Sequence, residues 1–99
     1  MEVRFTKQAE ADIIDSYLYG IMNFGHAQAD RYEQGWRHTI EIIADNPRLA
    51  AERLEYDPPV RIHHHAQHYI IYRIEDGFIL IVRFLRDSVD LTKHLTTIN

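Results

Sequence analysis

Hydrophobic residues follow a helical spacing in the first half of the chain and an alternating spacing in the second. Between residues 7 and 22 they recur every four positions, which predicts an amphipathic helix: Ala9, Ile13, Tyr17 and Ile21. Thr6 stands directly before this segment and is a predicted helix N-cap. The alternating residues Val3-Arg4-Phe5 ahead of it predict a short strand that leads into the helix.

A second helix is predicted after Asn23-Phe24-Gly25, whose residues favour a tight turn. Its apolar positions keep the helical spacing: Ala29, Tyr32, Trp36, Ile40 and Ile43. The helix should end at Asn46-Pro47, because proline disfavours helical geometry in the residue before it. Since the turn between the two helices is so short, they are expected to pack antiparallel as a helical hairpin.

From residue 60 onward the pattern predicts strands at residues 60–62, 68–74 and 78–85. Residues 47–59 are bounded by proline and are expected to be irregular. Asp76-Gly77 supplies the positive-φ residues of a tight hairpin turn, and residues whose numbers sum to about 153 should face each other across it. Arg73 is therefore expected opposite position 80. Residues 87–95 are predicted to form a loop and a final short helix.

The element order β-α-α-β-β-β predicts an α+β fold, with the antiparallel helical hairpin packed on a small, mainly antiparallel sheet. Residues 1–99 should form one domain, since so short a chain has no room for a second core. The predicted core draws on both layers: Ile13, Tyr17, Tyr32, Trp36, Ile40, Ile43, Ile71 and Ile81. The sheet should be complete at Leu85, so the chain after it is expected to be dispensable for folding.

The aromatic residues of the first half are concentrated on the helical hairpin: Tyr17, Tyr19, Phe24, Tyr32 and Trp36. At helical spacing, such a set is typical of a hydrophobic core. The alternative is a groove that receives an apolar helix from a partner protein.

Composition narrows the class of protein. The chain has no cysteine, which fits a reducing cytoplasm and excludes a disulfide framework. No segment approaches the roughly 20 apolar residues needed to span a membrane. The first ten residues carry charges at positions 2, 4 and 7 and no apolar run, unlike a signal peptide. A cytoplasmic protein without membrane association is therefore expected.

The net charge of −4 argues against bulk nucleic-acid binding, and its distribution is uneven. Residues 1–52 hold nine acids and five bases, whereas residues 53–99 hold six of each and five of the seven histidines. A partner that prefers positive surface should therefore dock on the C-terminal half. Arginine suits a carboxylate-rich partner because its planar fork binds a carboxylate in a bidentate manner. The candidate partner-binding residues are Arg61, Arg73, Arg83, Arg86, Lys93 and His94. The alternative for any one arginine is a solvent-facing cation or an ion pair with a helix acid.

Four histidines lie close together in sequence at His63-His64-His65 and His68. In a strand, positions 63 and 65 share a face, and this pair has the spacing of zinc ligands. A site needs a third ligand, and no carboxylate or cysteine lies near. The sequence therefore predicts no metal and no cofactor, and places these histidines at a polar strand end that faces solvent or a partner.

Several short motifs resemble those of ParE toxins, members of the RelE/ParE superfamily of type II toxin–antitoxin systems. They occur in order and at matching separations over nearly the whole chain: Ala9-Glu10-Ala11-Asp12-Ile13, Tyr19, Phe24-Gly25, Ala29-Asp30-Arg31-Tyr32, Asn46-Pro47, Val60-Arg61, Tyr69-Ile70-Ile71-Tyr72-Arg73-Ile74-Glu75-Asp76-Gly77, Ile81-Val82-Arg83-Phe84-Leu85, Asp90-Leu91 and His94-Leu95. No single motif is specific, but the ordered set is.

The resemblance implies a two-gene module in the bacterial cytoplasm. A ParD-like antitoxin, a DNA-binding dimer with a disordered, acidic and apolar tail, would wrap the toxin in a hetero-oligomer. The toxin would then meet DNA only through the antitoxin. The resemblance further implies that free toxin inhibits DNA gyrase, whereas the related RelE branch cleaves ribosome-bound mRNA.

A RelE-like ribonuclease needs clustered cations and a proton-transfer residue. The corresponding family positions fall on Arg61, His63, Tyr69, Ser88 and His94. Two of the four cationic positions are thus uncharged and a third is a histidine. The resemblance therefore implies a toxin that binds its target and has no catalytic residues, with the ribonuclease as the alternative.

The segment Arg86-Asp87-Ser88-Val89 departs from the histidine-glycine-arginine stretch that the family often has after its last strand. Asp87 opposes the charge of Arg86 there. This departure keeps a third hypothesis open, a non-toxic module that binds the antitoxin and co-represses the operon.

Overall fold

The computed structural model describes residues 1–95, so the end of the predicted 1–99 domain, residues 96–99, lies outside it. Two helices pack on a five-stranded sheet of strand order β1-β5-β4-β3-β2. All neighbours are antiparallel except β1, which is parallel to β5. The elements in chain order are β1 (Glu2–Phe5), α1 (Lys7–Phe24), α2 (His26–Asp45), β2 (Glu52–Arg53), β3 (Val60–His65), β4 (His68–Glu75), β5 (Phe78–Arg86) and α3 (Leu91–Leu95). The predicted α+β fold class is confirmed.

Local capping explains where the two long helices begin and end. The Thr6 hydroxyl accepts the Ala9 N–H at 3.0 Å and donates to the Val82 carbonyl at 2.8 Å, so the predicted N-cap also ties α1 to the sheet. Gly25 alone joins the helices, and its φ of 84° is accessible to glycine at little steric cost. α2 ends at Asp45 with Asn46 as its C-cap, as the following proline predicts.

The hairpin of β4 and β5 has the predicted register near its turn. Arg73 lies opposite Leu80, and Gly77 at the turn has a φ of 86°. The prediction of a positive φ is wrong for Asp76, where the φ is not positive. Further along, Tyr72 faces Ile81 while Ile71 faces Arg83, so Val82 is an extra residue on β5. This β-bulge shifts every later pair by one position.

Two predictions about strands need correction. Residues 47–59 are not wholly irregular, because Glu52 and Arg53 form the short strand β2, which pairs with Arg61 and Val60. β3 continues to His65 rather than ending at Ile62, since the β4 backbone pairs with it as far as His65. Polar side chains therefore obscured the strand, whose backbone hydrogen bonds do not depend on them.

Hydrophobic residues occupy both faces of the sheet. The face under the helical hairpin contains most of the predicted core, including Trp36, Ile40, Ile43 and Ile81, whereas Ile71 is buried on the opposite face. The remaining predicted core residues are only partly buried: Ile13, Tyr17 and Tyr32.

The second face is covered in part by α3 and the segment before it. Leu95 is only 1% exposed and packs with Val82 and Leu85. The chain after Leu85 therefore contributes to a core, so we now expect its removal to destabilise the fold. No helix among residues 1–95 is both long and apolar enough to cross a bilayer.

Candidate partner-binding site

A cleft of about 250 Å³ opens between the helical hairpin and the turn that joins β3 to β4. It forms where the two helices approach closely: a Cβ atom added at Gly20 would lie 3.3 Å from the Ala29 Cβ atom. All five hairpin aromatics line it: Tyr17, Tyr19, Phe24, Tyr32 and Trp36. Trp36 is buried, but Tyr19 and Phe24 are 45% and 53% exposed. The hairpin aromatics therefore line a groove as well as contributing to the core.

His68 forms the inner wall of the cleft at the start of β4. It is 7% exposed and stacks on Phe84 with ring centroids 4.5 Å apart. Its Nδ1 atom lies 2.5 Å from the Tyr32 hydroxyl, and its Nε2 atom lies 3.2 Å from the Ser16 hydroxyl. The imidazole thus bridges α1, α2 and the sheet, which fixes the shape of the cleft.

Burial, followed by the nearby Arg86 charge, lowers the pKa of His68 to about 4. Asp87 acts in the opposite direction but is the weaker influence. His68 is therefore neutral near pH 7 and presents an uncharged wall to an apolar ligand. The sequence placed this histidine at a polar strand end that faces solvent or a partner; the structure shows that it does not face solvent but is buried at the inner wall of the cleft. The sequence did contain a sign of this burial: His68 is two residues before the apolar Ile70, so both side chains point to the same face of β4.

Arg86 stands at the rim of the cleft at the end of β5. Its guanidinium lies 4.4 Å from the centroid of the exposed Tyr19 ring, a cation–π geometry. The Tyr19 hydroxyl group beside it raises the pKa of Arg86 above its ordinary value. The neighbouring Asp87 carboxylate lies 3.0 Å from Nε2 of His64, so it has a partner of its own. Arg86 is thus an exposed cation beside an aromatic wall.

The other predicted arginines have partners within the chain. Arg61 donates to the Ala50 carbonyl at 2.6 Å, and Arg73 pairs with Glu75 at 3.0 Å. Arg83 binds both carboxylate oxygens of Asp12, at 2.8 and 3.0 Å. Only the contact of Arg83 with Asp12 matches the alternative that the sequence left open, an ion pair with a helix acid. Whether any of the three also binds a partner stays a prediction.

Lys93 and His94 lie in α3, on the far side of β5 from the hairpin. Lys93 is exposed and His94 half-buried. Neither lines the cleft, so the structure does not bring them together with Arg86 there. Their assignment as partner-binding residues also stays a prediction.

The clustered histidines separate into different environments. His65 accepts or donates a hydrogen bond with the Thr39 hydroxyl at 2.8 Å, while His64 faces Asp87. Burial lowers the pKa of His65, and the neighbouring histidines lower it further. Among residues 1–95 there is no group of three or more metal-ligating side chains placed to hold an ion.

Three of the five positions that a RelE-like ribonuclease would use do not lie on one face of the sheet. Arg61 and His63 face Tyr72 and Ile70 across the β3–β4 ladder, which places them on the side of the helical hairpin. Tyr69 faces His64 on the opposite side, with their rings 4.9 Å apart. Since alternate residues of a strand point to opposite faces, Tyr69 cannot contact a phosphate from the same side of the sheet as Arg61 and His63.

Comparison with known proteins places this geometry in a family context. Residues 3–91 match the family described as the ParE toxin of the type II toxin–antitoxin system parDE. Over 92 residues the chain is 28% identical to Toxin ParE1 of Caulobacter vibrioides, covering 93% of this chain and 95% of that protein. Its fold is similar to a solved structure described as a chromosomal ParDE TA system from P. aeruginosa, with a TM-score of 0.73 and 22% identity. That match covers 87% of this chain and 95% of the other.

Proposed function

The chain belongs to the ParE family of type II toxins, and from this premise we propose that it inhibits DNA gyrase by binding and is neutralised by a ParD-like antitoxin. The cleft supports the second part of this proposal, the neutralisation of the toxin by an antitoxin. An acidic and apolar antitoxin tail would insert an apolar side chain among the hairpin aromatics. A carboxylate next to that side chain would meet the Arg86 guanidinium.

The main evidence for an antitoxin site in the cleft is that Arg86 lies beside exposed aromatic side chains. Arg86 is exposed beside Tyr19, and the cleft behind it is lined mainly by apolar atoms. Aromatic and arginine side chains dominate the binding energy of many interfaces, because they combine a large contact area with directed polar groups. Asp87 contacts His64 and forms no ion pair with Arg86 within residues 1–95, although its charge still acts on Arg86. An active interface is therefore compatible with the departure at residues 87 and 88.

Action by binding rather than by catalysis is supported by the separation of the ribonuclease positions. Arg61 and His63 lie on one face of the sheet and Tyr69 on the other. The buried His68 is held by two hydroxyl groups and is neutral near pH 7. Phosphoryl-transfer chemistry needs cations and proton donors directed at one point.

The test is a supercoiling assay with purified DNA gyrase and increasing amounts of this chain. We expect inhibition that rises with the toxin-to-gyrase ratio and is reversed by the cognate ParD-like antitoxin. A parallel primer-extension assay on translated mRNA should show no new cleavage. Unaffected gyrase together with ribosome-dependent cuts would instead establish the RelE-like activity. Antitoxin binding without either effect would establish the non-toxic co-repressor.

A further inference from the structure

The outer face of α1 carries an uncovered row of large apolar side chains. Ile14, Leu18 and Met22 are four residues apart and 59%, 51% and 84% exposed. Four-residue spacing places them above one another on a single side of the helix. Single exposed apolar residues are ordinary, but a contiguous row on a soluble protein marks an interaction surface. We call these three residues the α1 row.

The α1 row is separate from the cleft. None of its three residues lines the cleft, whose α1 residues, such as Ser16 and Gly20, lie on the inward side of the helix. The outer face of α2, in contrast, is mainly polar, with Asp30, Arg31 and Gln34 exposed along it. The apolar surface is therefore specific to α1.

Two carboxylates flank the row. Glu10 lies one turn before Ile14, in line with the row at its N-terminal end, and Asp15 lies beside the row between Ile14 and Leu18; both are exposed. Within residues 1–95 neither is in an ion pair, whereas Asp12 on the inward side is bound by Arg83. The row thus presents apolar contacts next to two exposed carboxylates, with Lys7 also exposed three residues before Glu10.

We propose that the α1 row is a docking surface for the protein that this toxin inhibits, and that its occupant is an amphipathic helix with basic residues beside its apolar positions. Such a helix would match the four-residue spacing of the row and place lysine or arginine against Glu10 and Asp15. This inference rests on the proposed function in so far as that function requires a bound target. It places the target on the outer face of α1, whereas the antitoxin is assigned to the cleft and Arg86; Asp15 and Arg86 line a shallow hollow between the two surfaces.

The charges favour this occupant over two others. A second copy of the chain would bring two carboxylate-flanked rows together in a protein whose net charge is already −4. An acidic antitoxin tail would meet Glu10 and Asp15 with like charge. Both arrangements would place uncompensated negative charges at the rim of the interface.

The test compares Leu18→Gln with the matched control Leu54→Gln. Leu54 is 73% exposed and lies just after β2, outside the α1 row and the cleft. Both full-length variants should fold, since each removes an exposed side chain. Leu18→Gln should inhibit purified DNA gyrase at least tenfold less strongly and lose growth arrest, while antitoxin affinity stays within twofold of wild type. Leu54→Gln should match wild type in all three. A double variant, Glu10→Gln with Asp15→Asn, should weaken inhibition and reduce its dependence on salt concentration.

Full inhibition and growth arrest by Leu18→Gln would overturn the proposal. Loss of antitoxin binding in that variant, with or without loss of inhibition, would instead assign the α1 row to the antitoxin. A wild-type dimer that Leu18→Gln converts to a monomer would assign it to a second copy. If wild type arrests growth without inhibiting gyrase, the gyrase assignment is wrong. In that case growth arrest alone tests the α1 row, and a Leu18→Gln variant that arrests growth as strongly as wild type would still refute the proposal.

Discussion

The ion pair between Asp12 and Arg83 predicts that Asp12→Ala destabilises the fold. Asp12 on α1 accepts two hydrogen bonds from the Arg83 guanidinium and a third from the Phe84 backbone N–H at 3.0 Å. The two side chains are only 14% and 13% exposed. Removing the carboxylate leaves the guanidinium and the N–H group without this acceptor, so α1 loses a directed attachment to β5.

The magnitude follows from the burial of the pair. Breaking a fully buried pair by removing one partner costs about 3–5 kcal/mol, because the remaining charge is unpaired. Some exposure persists here, so water compensates in part and we expect a loss of about 2–4 kcal/mol. In a chain of this length, a loss of about 3 kcal/mol should lower Tm by roughly 12–24 °C.

Urea denaturation of Asp12→Ala, Arg83→Ala and the double variant would measure this interaction. We expect non-additive losses, with a coupling energy of roughly 1–3 kcal/mol. Asp12→Asn is the control, since it keeps an oxygen for the Phe84 N–H and should be less destabilising. Single variants within about 0.5 kcal/mol of wild type, the range of ordinary surface changes, would refute the structural role of the pair.

Three further predictions concern the cleft and the second core. Trp36→Ala should lose about 3–5 kcal/mol of stability, because Trp36 is 3% exposed and packs on Phe84; normal melting with lost antitoxin binding would contradict this. The free energy of unfolding should fall by up to about 3 kcal/mol as the pH decreases from 6.5 to 4, because the His68 pKa is about 4 in the folded chain and about 6.5 in the unfolded chain, which therefore takes up the proton at higher pH. In denaturation measured at several pH values, His68→Gln should lack this loss. Truncation after Asp87 should expose the second core and give insoluble or molten protein by circular dichroism, whereas native melting would restore the view that this segment is dispensable.

Much of the fold could be predicted from the sequence because the governing interactions are local. The four-residue apolar spacing, the Thr6 cap and the turn at Asp76-Gly77 each fix backbone geometry within a few residues. The register of the β4–β5 hairpin followed from that turn as far as Tyr72. Beyond it, the bulge at Val82 depends on tertiary contacts, because the Asp12 carboxylate holds both Arg83 and the Phe84 N–H.

The candidate site was less predictable, since its properties depend on which residues meet across the chain. The sequence could name the arginines of the second half as candidates for partner binding, but it could not show that Arg83 pairs with an acid 71 positions away. His68 resembled its solvent-facing neighbours in sequence and is buried only because Tyr32 and Phe84 close around it. The exposure of Leu18 and Met22 could not be foreseen either, as their apolar character alone favours burial.

Growth inhibition by His94→Ala, at expression matched to wild type, tests most directly the claim that this toxin acts by binding. His94 stands at the position where the ribonuclease branch would place its proton-transfer residue. Our account predicts that the variant arrests growth as strongly as wild type and still causes filamentation and the SOS response. A folded His94→Ala that binds both antitoxin and gyrase normally but no longer arrests growth would contradict the account and make His94 a catalytic residue.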